Sequence, residues 1–385
     1  AGCAEQEPQQ PEPEVLTLYT LTTSPACVQQ AVEDFNADNA WGVRIEMITD
    51  SMDNYKLQLP VEAAAGELPD MFFTWEAGFL APLVRSGKVL PVSELPDGDT
   101  LLDRYAPETL DPLRFDGEVY ALPLGQSLTV VFYNRDVFDE AGLDVPQSWE
   151  EFLTACETLR SRGVTPLLAG PSDWEAGQLL LGLIAGSGGT ELAASFAGTA
   201  PWRQTDAEQC VQLLQALYEQ GYAQLNAESK SLAEGTAAMY LCGDWLLNWY
   251  WDKPQIGAFL LPAVDAQYAG TCIHSVDQCY AVSADCKNPE AAAAFLALLT
   301  DETYQQALVE STGQHPGTAL AVEHFDNPLQ QEDFALYGQV QESVIWMDRG
   351  AGAELGAAFN RMAMAILSGR DALQALEEFR AAVGG

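Results

Sequence analysis

Basic residues are scarce in this chain. Among its 385 residues, 17 Lys and Arg stand against 56 Asp and Glu, which gives a formal net charge of −39 at pH 7. Nucleic-acid binding is excluded as a function class, because phosphates must be neutralised by Lys and Arg. Electrostatic binding to anionic lipid is excluded for the same reason. The acidic excess is typical of an exposed, secreted surface, and a cationic ligand is the alternative explanation.

Familiar catalytic and metal-binding motifs are also missing. The three histidines, His274, His315 and His324, have no metal-ligand spacing, and no His-Glu-x-x-His occurs. The sequence contains no Gly-x-Ser-x-Gly, Walker A or Gly-x-Gly-x-x-Gly motif. We therefore predict no metal and no cofactor, and we expect any nucleotide hydrolysis to belong to another chain.

Long hydrophobic runs are absent as well. No run approaches the roughly 18 apolar residues that span a bilayer, and the longest, residues 179–185 and 291–299, favour buried helices. The chain is 48% hydrophobic and 10% aromatic. At this length and composition we expect a globular protein with enough core for two or three domains.

The eight cysteines include no Cys-x-x-Cys pair. Ala1-Gly2-Cys3 resembles the end of a bacterial lipobox, in which small residues precede a cysteine that is lipidated after cleavage. Residues 1–14 are rich in Glu, Gln and Pro, a composition that cannot bury a core and predicts an extended tether. An ordinary disordered terminus with an incidental cysteine is the alternative. If Cys3 carries lipid, seven cysteines remain, and an odd number cannot all pair.

The N-terminal third alternates between strand and helix patterns. Strands are predicted at residues 15–19, 43–48 and 71–74, with helices at 27–36 and 54–65 between them. A second α/β set begins with a strand at residues 127–134 and includes a helix at 174–185 and a strand at 277–283. Three helices are predicted at the end of the chain, at 328–345, 354–367 and 371–383. The pattern indicates a largely parallel sheet covered by helices.

The strand at 71–74 ends at an aromatic residue and a carboxylate, Trp75 and Glu76. In open α/β sheets, ligands bind outside the carboxyl ends of the strands. Trp75 therefore offers a stacking surface and Glu76 a hydrogen-bond acceptor, unless Trp75 belongs to the core and Glu76 to the solvated surface.

Blocks of sequence in a characteristic order carry a family resemblance. They are residues 62–75, 117–123, 131–138, 145–152, 235–240, 243–245, 280–283 and 288–292. With these blocks the chain resembles the extracellular solute-binding proteins of ABC importers, in the large family that includes maltose-binding protein. It is most similar to the lipoprotein members that take up sugars and oligosaccharides. The resemblance covers nearly everything from about residue 15 onwards.

The resemblance implies a periplasmic-binding-protein type II fold, with two α/β lobes that close on a ligand by a hinge motion. Each lobe would be a mixed sheet covered by helices. Lobe 1 would comprise residues 15–125 and 277–326, and lobe 2 residues 127–275 and 328–385. Crossings are expected near residues 125–127, 274–277 and 326–329. The implied protein is a monomeric, non-catalytic receptor, anchored by lipid on the outer face of the cell membrane, that delivers carbohydrate to an ABC permease.

Sugars present apolar CH faces and many hydroxyl groups, so their sites need aromatic platforms and planar polar groups. Trp75 matches a position where the family often stacks an aromatic on sugar, and Glu76 follows it. Asp244 and Trp245 stand where the family places a ligand-stacking tryptophan. Trp346 and Asp348 match an aromatic and a carboxylate that family members often use.

Other candidates follow from the expected lobes. Ser127 and Asp277 lie at predicted crossings, where side chains can meet the ligand. Trp174 and Trp202 are predicted to form subsite walls. Ser24, with Thr22 and Thr23, either caps the first helix or reaches the ligand. Trp249 and Trp251 are expected to be structural or at the rim.

Three alternatives stay open at this point. One alternative, based on the acidic composition, is a receptor for a cationic solute such as a polyamine. A second is a secreted glycosidase, which needs two carboxyl groups at a defined separation. The candidates for those two groups are Glu76, Asp244, Asp277 and Asp348. An adhesion or scaffold protein would bind no small ligand.

Overall fold

The computed structural model describes residues 13–225, 230–319 and 327–383. Cys3, His324 and most of the predicted tether lie outside these residues, as does Asp326 at the third predicted crossing. The strands are β1 (Glu14–Leu21), β2 (Val43–Asp50), β3 (Met71–Thr74), β4 (Arg114–Phe115), β5 (Glu118–Val119), β6 (Leu122–Asn134), β7 (Thr165–Leu168), β8 (Ala223–Gln224), β9 (Ala237–Gly243), β10 (Ile256–Phe259), β11 (Thr271–Val282), β12 (His315–Pro316) and β13 (Glu342–Val344).

The α-helices lie between and after these strands. They are α1 (Ala26–Ala37), α2 (Met52–Ala65), α3 (Leu80–Arg85), α4 (Gly98–Leu102), α5 (Pro107–Leu110), α6 (Arg135–Ala141), α7 (Trp149–Ser161), α8 (Asp173–Phe196), α9 (Gln204–Glu219), α10 (Lys230–Ala233), α11 (Pro289–Leu299), α12 (Glu302–Thr312), α13 (Pro328–Tyr337), α14 (Met347–Gly350), α15 (Ala353–Leu367) and α16 (Ala372–Val383). The predicted β-α-β-α-β order of the N-terminal third is confirmed.

Local sequence explains where α2 begins and ends. The Ser51 side chain accepts a hydrogen bond from the Asn54 N–H and caps the first turn. Gly66 ends the helix with φ 74°, a left-handed conformation that suits a residue without a Cβ. The helix buries Tyr55 and Leu59, with the Tyr55 ring packed on Tyr19 of β1 and Phe73 of β3, and Lys56 beside Tyr55 lines the cleft between the lobes.

One sheet path connects both halves of the molecule, in the order β2-β1-β3-β11-β6-β9-β7-β8. At one end of the path β1, β2 and β3 pair in parallel, and at the other end β7, β8 and β9 do so. In the middle, β11 and β6 pair antiparallel with each other and with their neighbours β3 and β9. β6 pairs with β11 along its first half and with β9 and β10 along its second half. The predicted crossings near residues 125–127 and 274–277 therefore lie within continuous strands.

Buried apolar residues form separate cores on either side of this junction. One core takes its residues from positions 16–124 and 276–308. The others take theirs from positions 128–273 and 329–379. We refer to the elements around the first core as lobe 1 and to those around the others as lobe 2. The predicted lobe boundaries, to the residue, stay a prediction.

Two predicted elements end elsewhere than expected. The helix predicted at 328–345 is wrong beyond Tyr337, because β13 follows and pairs in parallel with β11. Tertiary pairing overrides local propensity there. The helix predicted at 174–185 continues to Phe196, and Gly189 makes a kink in it with φ 63° and ψ −157°. This apolar helix is long enough to cross a membrane, but 72% of its most apolar stretch is buried inside the fold.

The seven described cysteines are free thiols, and all but Cys272 are buried. Burial raises the pKa of the Cys27, Cys210, Cys272 and Cys286 thiols to about 11. Buried, protonated thiols pack as small apolar side chains and react poorly.

Candidate ligand-binding site

A cavity of about 420 Å³ lies between the two lobes. Its size falls in the range of small-molecule sites. Lobe 1 contributes Leu21, Thr23, Pro25, Met52, Lys56, Phe73, Trp75, Asp277, Gln278, Thr312 and Gln314, and lobe 2 contributes Trp174, Trp245, Leu246, Asn248, Trp249, Trp346, Asp348 and Arg349. Six of the predicted site residues meet here: Trp75, Trp174, Trp245, Asp277, Trp346 and Asp348.

Three tryptophans from lobe 2 form one row along the cavity. The ring centroids of Trp174 and Trp245 are 6.0 Å apart, and those of Trp245 and Trp346 are 5.8 Å apart. Trp174 lies in the first turn of α8, Trp245 is the second residue after the end of β9, and Trp346 precedes α14. Trp249, which is 60% exposed, also lines the cavity. The row brings together rings from three separate elements, of which Trp174 is 36% exposed and Trp346 only 5% exposed.

Trp75 supplies an aromatic surface from lobe 1. It follows β3 directly, and its ring packs edge-on against Phe73, with centroids 4.7 Å apart and an interplanar angle of 86°. Phe79 packs on it at 4.9 Å. The Lys56 ammonium lies 5.0 Å from the Trp75 ring centroid. These contacts leave Trp75 only 5% exposed, so its orientation is fixed by packing.

A hydrogen-bonded carboxylate, Asp277, forms the polar side of the cavity. Its Oδ2 accepts hydrogen bonds from Gln314 Nε2 at 3.0 Å and from Ser127 Oγ at 3.3 Å. Its Oδ1 lies 3.7 Å from Arg349 Nη2. Ser127 is fully buried and does not line the cavity. The structure therefore places Ser127 behind Asp277, where it holds the carboxylate in position.

Arg349 connects the charged groups of the site. Its guanidinium lies 4.6 Å from the Trp346 ring centroid and within 3.8 Å of Glu76 Oε1. Burial disfavours the charged form of Arg349, but Glu76, Asp277 and Asp348 outweigh that effect and raise its pKa. Arg349 is a cation at every ordinary pH.

Glu76 lies beneath the cavity. It is fully buried and is not among the lining residues. Burial raises the pKa of Glu76, while the neighbouring Arg349 opposes that rise. The side chain acts on the site through Arg349, because its Oε1 lies 3.8 Å from Arg349 Nη1.

A salt bridge joins the two lobes at one end of the cavity. Lys56 Nζ of α2 lies 3.6 Å from Asp348 Oδ2 of α14. Beside it, the Gly78 N–H of lobe 1 donates a hydrogen bond to the Arg349 carbonyl at 2.7 Å. A second groove of about 730 Å³ also contains Lys56 and Trp75 in its lining, together with residues of both lobes. The cleft therefore continues past the salt bridge.

Three other predicted residues lie away from the cavity lining. Asp244 is fully buried, accepts a hydrogen bond from the Tyr337 hydroxyl, and has its pKa raised to about 8 by burial. Trp202 packs against Phe196 at 5.2 Å, with the Arg380 guanidinium 4.6 Å from its ring centroid. Ser24 shares a hydrogen bond of 2.6 Å with Thr20, and the Tyr280 hydroxyl lies 3.5 Å from it.

Sequence reasoning missed six polar lining residues, namely Lys56, Asn248, Gln278, Thr312, Gln314 and Arg349. Local pattern does not single them out, although the scarcity of basic residues and the position of Arg349 beside Asp348 were available signals. Within the described residues, no group of three or more His, Cys, Asp or Glu side chains is placed to hold a metal ion.

A family model of bacterial extracellular solute-binding proteins matches residues 30–334. The chain belongs to this family. Over 86% of its length the solute-binding protein is 24% identical to the multiple sugar-binding protein of Streptococcus mutans, covering 82% of that protein. It is 28% identical to the osmoprotective compounds-binding protein GgtB of Synechocystis sp. over 37% of its length, and it spans only 34% of GgtB.

A solved chitin oligosaccharide binding protein has the same fold. The two structures superpose with a TM-score of 0.83 at 21% sequence identity, covering 95% of this solute-binding protein and 97% of the other chain. The likeness confirms the predicted two-lobe α/β fold.

Proposed function

We propose that this solute-binding protein captures a sugar or oligosaccharide between its lobes and delivers it to the permease of an ABC importer. The observation that carries the proposal is one cavity whose lining combines the row of Trp174, Trp245 and Trp346 with the charged groups Asp277 and Arg349. Aromatic rings suit the CH faces of a sugar, and carboxylate and guanidinium groups suit its hydroxyls. The similarity to the Streptococcus mutans multiple sugar-binding protein and to the chitin oligosaccharide binding protein supports the same ligand class.

The cleft supports a ligand longer than one sugar unit. The second groove shares Trp75 and Lys56 with the tryptophan-lined cavity, so a glycan chain has a route past the salt bridge.

The alternatives have less support. A polyamine would need free carboxylates, yet Asp277 and Asp348 are both paired with cations. A glycosidase would need one carboxylic acid and one carboxylate facing the ligand. Only those two paired acids line the cavity among the described residues, and a non-catalytic role follows from the proposal. We also propose a monomer held on the outer face of the cell membrane through Cys3, in keeping with an extracellular family.

The test is a thermal-shift and calorimetric screen of the purified protein against galactose, maltotriose, raffinose, chitotriose and xylotriose, with spermidine and an amino-acid mixture alongside. A sugar at about 100 times its Kd should stabilise the fold by roughly 2.7 kcal/mol. Trp245→Ala should abolish most of that shift. Trp41→Ala is the matched control, because Trp41 is 40% exposed and lies outside the cavity lining. A shift with spermidine alone, or equal loss in both variants, would contradict the proposal.

A further inference from the structure

Gln278 has an unusual backbone conformation inside a strand. Its φ is 54°, in the left-handed region that residues with a Cβ seldom occupy. The other described non-glycine residues with positive φ, Ala77, Asp97 and Asp116, lie in turns. Gln278 alone among them lies within a strand, β11.

The distortion is confined to this residue. On one side Asp277 is opposite Gly125, and on the other Cys279 is opposite Pro123, so the register with β6 is the same before and after Gln278. No residue is inserted, and Gln278 itself makes no ladder pair. The strand is regular again at once, which shows that the conformation is not needed to shift the pairing of β11.

The side chain of Gln278 lines the tryptophan-walled cavity. Its amide Oε1 is buried and has no hydrogen-bond partner among the described residues. Buried polar atoms are almost always satisfied in folded proteins, so an unsatisfied one on a cavity-lining residue indicates a group whose partner arrives from outside.

An unsatisfied donor belongs to the same cavity lining. Trp346 Nε1 is buried without a hydrogen-bond partner among the described residues, whereas Arg349 Nη1 lies 3.8 Å from the underlying Glu76 Oε1 and is ion-paired with it. One acceptor and one donor therefore await a partner that both donates and accepts. A sugar hydroxyl does both, whereas a carboxylate only accepts and a protonated amine only donates.

We infer that Gln278 is a ligand-binding, specificity-determining residue, and that its left-handed conformation is kept because it presents the amide to a hydroxyl of the bound sugar. The inference rests on the proposed sugar-binding function and adds to it a residue and a hydrogen-bond direction: the ligand donates to Gln278 Oε1. Glycine is the residue favoured at a positive φ. A glutamine that persists there, at a cost in strain, therefore indicates that its side chain has a function.

The test separates strain from binding. Gln278→Gly removes the side chain and relieves the backbone, so the melting temperature of the ligand-free protein should stay the same or rise. Affinity for the sugar that binds the wild type best, among galactose, maltotriose, raffinose, chitotriose and xylotriose, should fall about tenfold, as expected for one lost hydrogen bond. Asp116→Gly is the matched control, because Asp116 has φ 49°, is exposed, and lies in the turn between β4 and β5. It should change stability in the same direction and leave affinity unaltered.

A second variant guards against a folding defect. Gln278→Asn keeps an amide and tolerates positive φ, but it is one methylene shorter, so it should fold like the wild type and still bind more weakly. Unchanged affinity in Gln278→Gly overturns the inference and leaves the proposed function standing. A fall in melting temperature in both variants, as large as that of a core substitution, overturns it too, since Gln278 would then be structural. If the wild type binds none of the five sugars, the proposed function fails and the inference fails with it.

Discussion

The salt bridge between Lys56 and Asp348 provides a quantitative test of how the cleft closes. Lys56 belongs to α2 of lobe 1 and Asp348 to α14 of lobe 2, with 3.6 Å between Nζ and Oδ2. Because the partners belong to different lobes, the pair forms when the lobes meet and is broken when they separate. It therefore stabilises the closed state relative to the open state. Because the ligand contacts both lobes in the closed state, a stronger pair should give a higher ligand affinity.

The expected magnitude follows from distance and exposure. Two unit charges about 4 Å apart attract by roughly 4 kcal/mol at an effective dielectric constant of 20, and by about 1 kcal/mol in water. The Lys56 and Asp348 side chains are 29% and 23% exposed, so solvent screening and desolvation remove much of this attraction. The Lys56 ammonium is already held near the Trp75 and Phe79 rings, at 5.0 and 5.6 Å, which lowers the cost of ordering it. We expect a net coupling of about 1 kcal/mol, or roughly fivefold in affinity.

A double-mutant cycle measures this coupling. Lys56→Met, Asp348→Asn and the double variant are titrated calorimetrically with the best-binding sugar, at low and at physiological salt. If the pair favours closure, the double variant loses less affinity than the two single losses added together, and the difference shrinks at higher salt. If Lys56 also contacts the ligand directly, Lys56→Met still lowers affinity in the Asp348→Asn background. The cycle therefore distinguishes that contact from the coupling energy of the pair.

The control is an ion pair within one element. Arg160 and Glu157 lie 3.0 Å apart on α7, with side chains 50% and 52% exposed. Glu157→Gln should leave sugar affinity unchanged. A coupling between Lys56 and Asp348 that is indistinguishable from zero at low salt would refute the reasoning, because the pair would then contribute equally to both states.

Two further predictions concern closure and pH. A Cβ added at Gly78 would lie 2.5 Å from the Gly352 nitrogen of the other lobe, so Gly78→Ala should hold the lobes apart, weaken sugar binding at least tenfold, and leave the ligand-free melting temperature nearly unchanged. Small-angle scattering should show a larger radius of gyration with sugar present than for the wild type, and a wild-type value would count against the prediction. Burial, with Asp277 nearby, raises the pKa of Asp244 to about 8, so the folded state favours the protonated acid and loses stability as pH rises from about 4 to 8. Asp244→Asn can still accept from the Tyr337 hydroxyl, and its melting temperature should fall less than that of the wild type between pH 5 and 8; parallel pH curves would contradict this.

The aromatic part of the site was largely predictable from sequence. Trp75 and Trp245 each follow a short apolar run that ends at the mouth of the cleft, and both prove to be cavity residues. This prediction has a physical basis, because residues that follow the carboxyl end of a strand lie at the edge of the sheet, where ligands bind. Trp346 and Trp174 required the family resemblance as well, since each precedes or begins a helix rather than ending a strand.

Adjacency in sequence misled the prediction for two carboxylates. Glu76 follows Trp75 and Asp244 precedes Trp245, yet both carboxylates are fully buried while their neighbours line the cavity. Glu76 lies beyond the end of β3, and Asp244 and Trp245 begin a 3₁₀ helix over Asp244–Trp249, in which successive side chains point about 120° apart around the axis. Adjacency to a lining residue therefore does not itself place a side chain in the cavity. Gln278 does line the cavity directly after Asp277, and no sequence pattern signals its left-handed backbone.

Net charge also proved a poor guide to the site itself. A formal charge of −39 made a cationic ligand a reasonable alternative. Yet two of the few basic residues, Lys56 and Arg349, lie in the cavity wall, where they pair with Asp348, Asp277 and the underlying Glu76. Neutralised in this way, the carboxylates hold little attraction for a polyamine, and the unsatisfied atoms of the lining residues include an acceptor, Gln278 Oε1, and a donor, Trp346 Nε1. The local balance favours a neutral, hydroxyl-rich ligand, because such a ligand satisfies those atoms without burying an unpaired charge.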